Sequence, residues 1–157
     1  MKKYLFHIKI VLIVLLFLFI FVDVGSKKTS EADIQSVVEE VARTAGTQEV
    51  PVAEERMVKR FYGLNPKDYE GVVLYAPQDN MDVHEIFLVK LKDVSQAEAV
   101  EAAIEKRLDT QLKSFEGYGI EQTALLKKHV LDVQGNYIFY MVGEKATATH
   151  KAFLDSL

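Results

Sequence analysis

Hydrophobic and polar positions divide the chain into a wholly apolar N-terminal stretch and a longer part with periodic patterns. Residues 10–22 are 13 consecutive apolar residues, and the wider apolar span covers the 21 residues 4–24. Three polar residues interrupt that wider span: His7, Lys9 and Asp23. At about 1.5 Å per residue, such a helix reaches roughly 30 Å, the thickness of a bilayer core. The pattern predicts a transmembrane helix, with residues 1–28 forming a membrane anchor and linker.

A cleaved signal peptide is the main alternative to a permanent anchor. Val24-Gly25-Ser26 is a tolerable cleavage site, although it lacks the Ala-x-Ala pattern, and the long Phe- and Leu-rich core favours retention. Lys2 and Lys3 add positive charge on the N-terminal side, which favours a cytoplasmic N-terminus. We expect a single-pass cell-membrane protein with its C-terminal domain outside the cell. The alternative is secretion after cleavage near Ser26.

The remaining residues, 29–157, alternate between helical and strand patterns and predict a single α+β domain. Apolar residues recur at helical spacing in four segments, namely 31–45, 53–62, a long helix that begins at Ser95 and ends near Gly117, and 145–156. Branched and aromatic residues predict four strands, at 72–77, 85–91, 129–133 and 137–142. Two successive strand–strand–helix units predict a four-stranded, largely antiparallel sheet with two helices packed on it. The segments 31–45 and 53–62 add one or two N-terminal helices.

Short polar motifs predict where these elements begin and end. Ser30 and Ser95 each open a segment that resembles a capping box. Gly135-Asn136 between two strand patterns predicts a tight hairpin turn with positive φ angles. Residues 121–127 are expected to form a connection, with a helical turn as one option. Residues 78–82 are expected to form a polar turn.

Composition and charge exclude several classes of site. The chain has no cysteine, which excludes disulfides, iron–sulfur clusters, cysteine-based zinc sites, a cysteine nucleophile and a lipidated cysteine. Residues 26–157 carry 16 basic and 22 acidic side chains, a balance of −6. A domain of that charge repels polyanions at long range, so nucleic acid is not expected as a partner.

No residue pattern identifies a catalytic or metal-binding site. The four histidines, His7, His84, His129 and His150, form no close ligand pair, and Asp79 and Asp82 fit a polar turn better than a calcium loop. The serines lack the settings G-x-S-x-G and S-x-x-K. We therefore expect no metal and no cofactor, assign no catalytic residue, and leave the binding residues open. Whether the protein is an enzyme stays open at this point, with a non-enzyme favoured.

Two surface features could bind a partner. The basic residues Arg56, Lys59 and Arg60 lie on one short helix, which predicts a solvated face; contact with headgroups or wall polymers is the alternative. Tyr75 and Tyr140 lie on strands with apolar residues on both faces. Either one face of the sheet is an open groove, or the first helix covers it.

Several segments resemble a family known as domain of unknown function 4358. They are YGLNP at 62–66, GVVLYAP at 71–77, the stretch from Leu88 to Tyr118, and GNYIFYMVG at 135–143, so that the resemblance spans residues 57–157. The resemblance implies an extracytoplasmic protein, usually from Gram-positive bacteria. Many members resemble lipoproteins with a cysteine after the signal segment. This chain has none, so its attachment to the bilayer would rest on the N-terminal helix.

The family resemblance carries no activity. We expect a non-catalytic module of the cell envelope that binds a protein, a peptide or a wall component. An uncharacterised envelope hydrolase is the alternative, and it would require His129 to meet Asp or Glu side chains in a deep pocket.

Overall fold

The structure is a computed structural model that describes residues 29–157. The predicted membrane anchor and its competing cleavage site lie outside the described residues. Among residues 29–157, no helix combines the length and the apolar character needed to cross a bilayer.

Five α-helices and four β-strands make up the described part of the chain. The helices are α1 (Ile34–Ala45), α2 (Glu55–Tyr62), α3 (Ala97–Phe115), α4 (Ile120–Lys127) and α5 (Ala146–Asp155). The strands are β1 (Gly71–Tyr75), β2 (Glu85–Lys90), β3 (Val130–Gln134) and β4 (Tyr137–Val142). Short 3-10 turns at Pro66–Asp68 and Val94–Gln96 precede β1 and α3. The segment predicted as a connection is α4, an 8-residue helix.

The four strands form one sheet in the order β1-β2-β4-β3, and every pair is antiparallel. The central pair runs from Glu85 opposite Val142 to Lys90 opposite Tyr137, and all its residues are buried. The predicted α+β fold with a four-stranded antiparallel sheet is confirmed. Branched and aromatic side chains on both faces of β2 and β4 explain why these strands occupy the centre.

Helices cover both faces of the sheet. One face packs on α1 and α5 through residues such as Ile86, Phe139 and Phe153; the other packs on α2, α3 and α4 through residues such as Phe87 and Ile104. The two helices predicted to pack on the sheet, α3 and α5, therefore lie on opposite faces. Strands that are apolar on both sides need cover on both sides. Helix α1 covers the face of the sheet that contains Tyr75, so this face is not an open groove.

The hairpin of β3 and β4 has the predicted tight turn, and because β3 extends to Gln134 the turn has only two residues. Gln134 pairs with Tyr137, and Gly135 adopts a φ of 58°. Among the described residues only glycines have positive φ, so Asn136 contributes none. Glycine at the first central position is typical of type II′ turns, which suit the twist of a hairpin.

The helix caps differ from those predicted at Ser30 and Ser95. Asp33 caps α1, where its carboxylate accepts hydrogen bonds from the backbone N–H groups of residues 35 and 36 at 3.0 and 3.3 Å. The Ser30 hydroxyl instead donates to the carbonyl of Leu157 at 2.8 Å. Asp93 forms the capping box with Gln96, because a 3-10 turn precedes α3 and moves the cap two residues upstream.

Candidate functional site

A groove lies where the end of α3 meets the start of α4, and it is called here the α3–α4 groove. Its volume is about 730 Å³, and its lining includes Leu112, Phe115, Tyr118, Ile120, Thr123 and Lys127. Two glycines shape the connecting loop. Gly117 has a φ of 87°, and a Cβ atom at Gly119 would lie 2.5 Å from a Phe115 ring carbon. The close approach at Gly119 lets α4 start directly beneath the end of α3.

Two large apolar side chains of this groove face solvent. Tyr118 is 63% exposed and Ile120 is 84% exposed, and the Tyr118 ring tilts against the Phe115 ring at a centroid distance of 5.8 Å. Exposed apolar side chains beside a cavity are typical of interaction surfaces. The sequence pattern predicts only a helix end at this loop. The available signal was the segment EGYGIE, in which an aromatic and a branched residue flank glycine in a polar loop.

A buried polar cluster lies between the sheet and helices α2 and α3. The side chain of Glu85 is fully buried on β2 and accepts hydrogen bonds from the Tyr62 hydroxyl and, at 2.9 Å, from Arg107 Nη2. The Tyr62 ring stacks on Phe87 at 4.0 Å. Both carboxylate oxygens of Glu85 are thereby engaged. The Arg107 guanidinium neutralises the Glu85 carboxylate, whose burial without a partner would strongly destabilise the fold.

Two polar atoms of this cluster have no hydrogen-bond partner within the described residues: the Tyr140 hydroxyl and Arg107 Nε. Burial raises the pKa of Tyr140 well above its usual range, and the nearby Glu85 carboxylate adds to the shift. Burial likewise raises the pKa of Tyr62, again reinforced by Glu85. Each phenol thus keeps its proton at neutral pH. Nothing in the sequence indicates this cluster, because Glu85 has the pattern of an ordinary strand-end residue.

A second, smaller cavity lies beside this cluster between α2 and α3, and is called here the α2–α3 cleft. Its volume is about 310 Å³, and four cationic side chains line it: Lys59, Arg60, Lys106 and Arg107. Two residues of the basic cluster predicted from the sequence, Lys59 and Arg60, therefore lie together here. The third, Arg56, points elsewhere and pairs with Glu54 at 3.0 Å.

His84 is held between two carboxylates at the start of β2. Its Nδ1 lies 2.6 Å from Asp82 and its Nε2 lies 2.9 Å from Glu144. Burial alone would lower the pKa of His84, but these two hydrogen bonds raise it overall. Backbone N–H groups and His84 together lower the pKa of Asp82, against the opposing effect of burial. Because both ring nitrogens are engaged by anions, the imidazole favours its protonated form and presents no free nitrogen to a ligand.

The other described histidines lie apart from His84 and from each other. His129 Nδ1 contacts the carbonyl of Leu126 at 2.8 Å, and His150 Nε2 pairs with Asp132 at 2.7 Å. His7 lies outside the described residues. Within residues 29–157, no group of three or more His, Asp or Glu side chains has an arrangement able to hold a metal ion. In the predicted polar turn, Asp79 accepts hydrogen bonds from two backbone N–H groups, at 2.7 and 2.9 Å.

Comparison with known proteins gives one match. The sequence model of a family described as "Domain of unknown function (DUF4358)" matches residues 43–143, from the last turn of α1 to the residue after β4. The match starts earlier and ends earlier than the span 57–157 expected from the sequence. No curated protein and no solved structure matches the chain.

Proposed function

The chain belongs to the DUF4358 family, and we propose that it is a membrane-anchored, non-catalytic binding module of the cell envelope. Its α3–α4 groove would take an apolar segment of a protein partner. The membrane anchor is the apolar N-terminal span, and the described domain would project from the outer surface.

The exposure of Tyr118 and Ile120 beside the groove is the observation that carries this proposal. An isoleucine that is 84% exposed contributes little to the core, whereas its burial on docking would be worth roughly 25 cal/mol per Å² of apolar area. Tyrosine is among the residues most enriched at binding hot spots, because it combines a large apolar ring with a polar tip.

The chemistry of the groove favours apolar side chains of a protein over a polyanion. Leu112, Phe115 and Ile120 supply an apolar lining, and the balance of −6 over residues 26–157 repels nucleic acid. A peptide segment can insert two or three apolar side chains between the helix ends while its backbone stays solvated.

The position of the groove also suits a partner that approaches from outside. Ser30, the start of the domain, hydrogen-bonds to Asn136 in the hairpin turn, and Leu91 beside α3 donates to the same residue. Helix α3 is 19 residues, or about 28 Å, long, and the groove lies at its C-terminal end. A chain anchored through residues 1–28 would therefore present the groove at the far end of the domain.

Site-directed photo-crosslinking tests the proposal in the cells that naturally make the protein. A photoreactive residue in place of Tyr118 should give one dominant protein adduct that Ile120→Asp abolishes. Val94→Asp is the matched control, because Val94 is 52% exposed and lies at the opposite end of α3. The purified adduct partner should then bind the full chain directly. An adduct pattern that Ile120→Asp leaves unchanged would refute the groove as the binding surface.

Protease shaving of intact cells tests the location separately. An anchored domain should be cut from the cell surface and leave a membrane-bound remnant of roughly 30 residues. A domain that is found in the medium and begins near Lys27 would instead support signal cleavage. Complete protection inside intact cells would contradict both arrangements.

The envelope hydrolase gains no support from a specific observation. It required His129 to converge with Asp or Glu side chains in a pocket, but the described contacts of His129 are the Leu126 carbonyl and the ring of Tyr140. A measured turnover that disappears with one polar side chain would reopen that alternative.

A further inference from the structure

We propose that the α2–α3 cleft is an anion site that binds a phosphate group of a small ligand. The site lies apart from the α3–α4 groove and does not depend on the function proposed for it. It is built by the end of α2 and the middle of α3, next to the buried Glu85 cluster.

Charge is the first argument. Cationic side chains supply four of the eight residues that line the cleft, and none of the eight is acidic, although the domain as a whole is acidic. Arg107 is paired with Glu85, but within residues 29–157 no hydrogen bond or ion pair engages the side chains of Lys59, Arg60 or Lys106. Like charges that converge around one cavity repel each other, and a bound anion reverses that repulsion.

The helix dipole explains only part of this arrangement. Lys59 and Arg60 lie in the last turn of α2, where cations offset the partial negative charge of a helix C-terminus. Lys106 lies in the middle of α3, where no such effect operates, and it reaches the same cavity from another element. The convergence of cations from two helices is therefore better explained by a ligand than by helix stability.

The geometry of Arg107 favours phosphate among anions. Its guanidinium is fixed by Glu85 at 2.9 Å and stacks over the Phe61 ring at 4.0 Å, so it is oriented before any ligand arrives. Its Nε is buried and has no partner within the described residues. Gly63 also lines the cleft and leaves open space there, since a Cβ atom on it would meet nothing within 4 Å. A rigid planar donor beside mobile ammonium groups suits the several acceptor oxygens and the double charge of phosphate.

Titration of the full chain in a neutral detergent tests the site, with inorganic phosphate and pyrophosphate as probes and chloride at matched ionic strength as the reference. Amide resonances of Gly63 and Lys106 should shift in a saturable manner. Arg60→Gln combined with Lys106→Gln should weaken pyrophosphate binding about tenfold, because two cationic hydrogen-bond donors are lost. Both side chains are exposed, so the variant should keep the wild-type melting temperature.

The matched control is Arg56→Gln combined with Lys113→Gln. It removes one cation from each of the same two helices but outside the cleft, and it should leave pyrophosphate affinity within about twofold of wild type. An equal loss in both double variants would overturn the proposal, because binding would then follow net charge. Absence of a saturable shift at Gly63 would overturn it as well.

Lipid bilayers distinguish a headgroup phosphate from a soluble one. The chain is placed in nanodiscs of phosphatidylcholine alone or with phosphatidylglycerol. A shift at Gly63 that requires phosphatidylglycerol and is lost in the Arg60/Lys106 double variant assigns the phosphate to a lipid headgroup. A shift that appears only with added pyrophosphate assigns it to a soluble ligand. Either result supports the site, and a failure of both probes refutes it.

Discussion

On the face of the sheet covered by α1 and α5, the buried charge is an ammonium at the end of a strand, whereas the face beneath α2, α3 and α4 encloses a carboxylate that pairs with a guanidinium. Strand β2 shows the contrast most directly, because it has a buried charged residue at each end. Glu85 points to the α2–α3–α4 face and Lys90 points to the α1–α5 face.

The two charges differ in how they are compensated. Lys90 lies at the end of β2, where its Nζ donates to the carbonyl of Ala32 at 3.0 Å and pairs at 2.7 Å with Glu70, whose side chain is 51% exposed. The Glu85 side chain has no access to solvent, and Arg107 beside it is only 16% exposed. A charged group at a strand end near solvent can recover hydration when its partner is lost, but an enclosed charged group cannot. The two faces should therefore respond very differently to loss of one partner.

The largest expected effect follows from Glu85→Ala. This change leaves the Arg107 guanidinium and the Tyr62 hydroxyl without their buried acceptor, and we expect a loss of about 3–5 kcal/mol in the free energy of unfolding. Glu70→Ala is the control on the opposite face and should cost about 1 kcal/mol or less, because its partner Lys90 keeps the Ala32 carbonyl. Urea unfolding followed by far-UV circular dichroism at pH 7 measures both. Equal losses in the two variants would contradict the contrast between the faces.

Two tyrosines on β4 extend the comparison, because replacing each with phenylalanine should change the free energy of unfolding in opposite directions. The Tyr137 hydroxyl donates to the Ala32 carbonyl at 2.7 Å, so Tyr137→Phe should cost about 1 kcal/mol. The Tyr140 hydroxyl is buried without a partner in the described part of the chain, so Tyr140→Phe should stabilise the fold by about 1 kcal/mol. Each variant removes a single oxygen and leaves the ring in place. Thermal melts of the two variants against wild type give the sign, and destabilisation by Tyr140→Phe would indicate a partner that completes the cluster.

Sequence reasoning succeeded where the determining interactions are local. The apolar run of β2 and the glycine of the hairpin turn both depend on residues close in the chain. The sequence pattern predicts the cap at Ser30 and not at Asp33, because it does not show that the Ser30 hydroxyl hydrogen-bonds to Leu157 at the other end of the chain.

The same physical reason explains why neither the Glu85 cluster nor the α2–α3 cleft could be predicted from the sequence. Glu85 and Arg107 are 22 residues apart and belong to different elements, so only the packing of α3 on the sheet brings them together. A glutamate at the start of a strand is usually solvated, and nothing local marks this one as buried. The cleft likewise needs α2 beside α3, whereas the sequence indicated only the basic face of α2.

The next effect in size concerns the alkaline range. The hydrogen bond to Glu70 raises the pKa of Lys90 above its usual value of about 10.5. The pairing therefore stabilises the fold fully below about pH 10.5 and is lost as the pH rises through the folded-state pKa. Lys90→Met should cost about 1 kcal/mol at pH 7, and its difference from wild type should shrink above about pH 11. Unfolding at a series of pH values checks this, and a difference that grows with pH would contradict it.

The smallest expected effect tests the exposed His84 against these buried groups. Its folded-state pKa is raised above the usual value of about 6.5, so its pairs with Asp82 and Glu144 stabilise the fold below that pH. That contribution is lost as the pH rises through the folded-state pKa. Because the His84 side chain is 53% exposed, solvent screening should limit the loss caused by His84→Gln to about 0.5 kcal/mol. The difference from wild type should be present at about pH 6 and should shrink as the pH rises through the folded-state pKa, as measured by melting temperature in matched buffers. A variant whose deficit exceeds that of Lys90→Met would mean that the charges at this end of β2 are more strongly coupled to the core than their exposure allows.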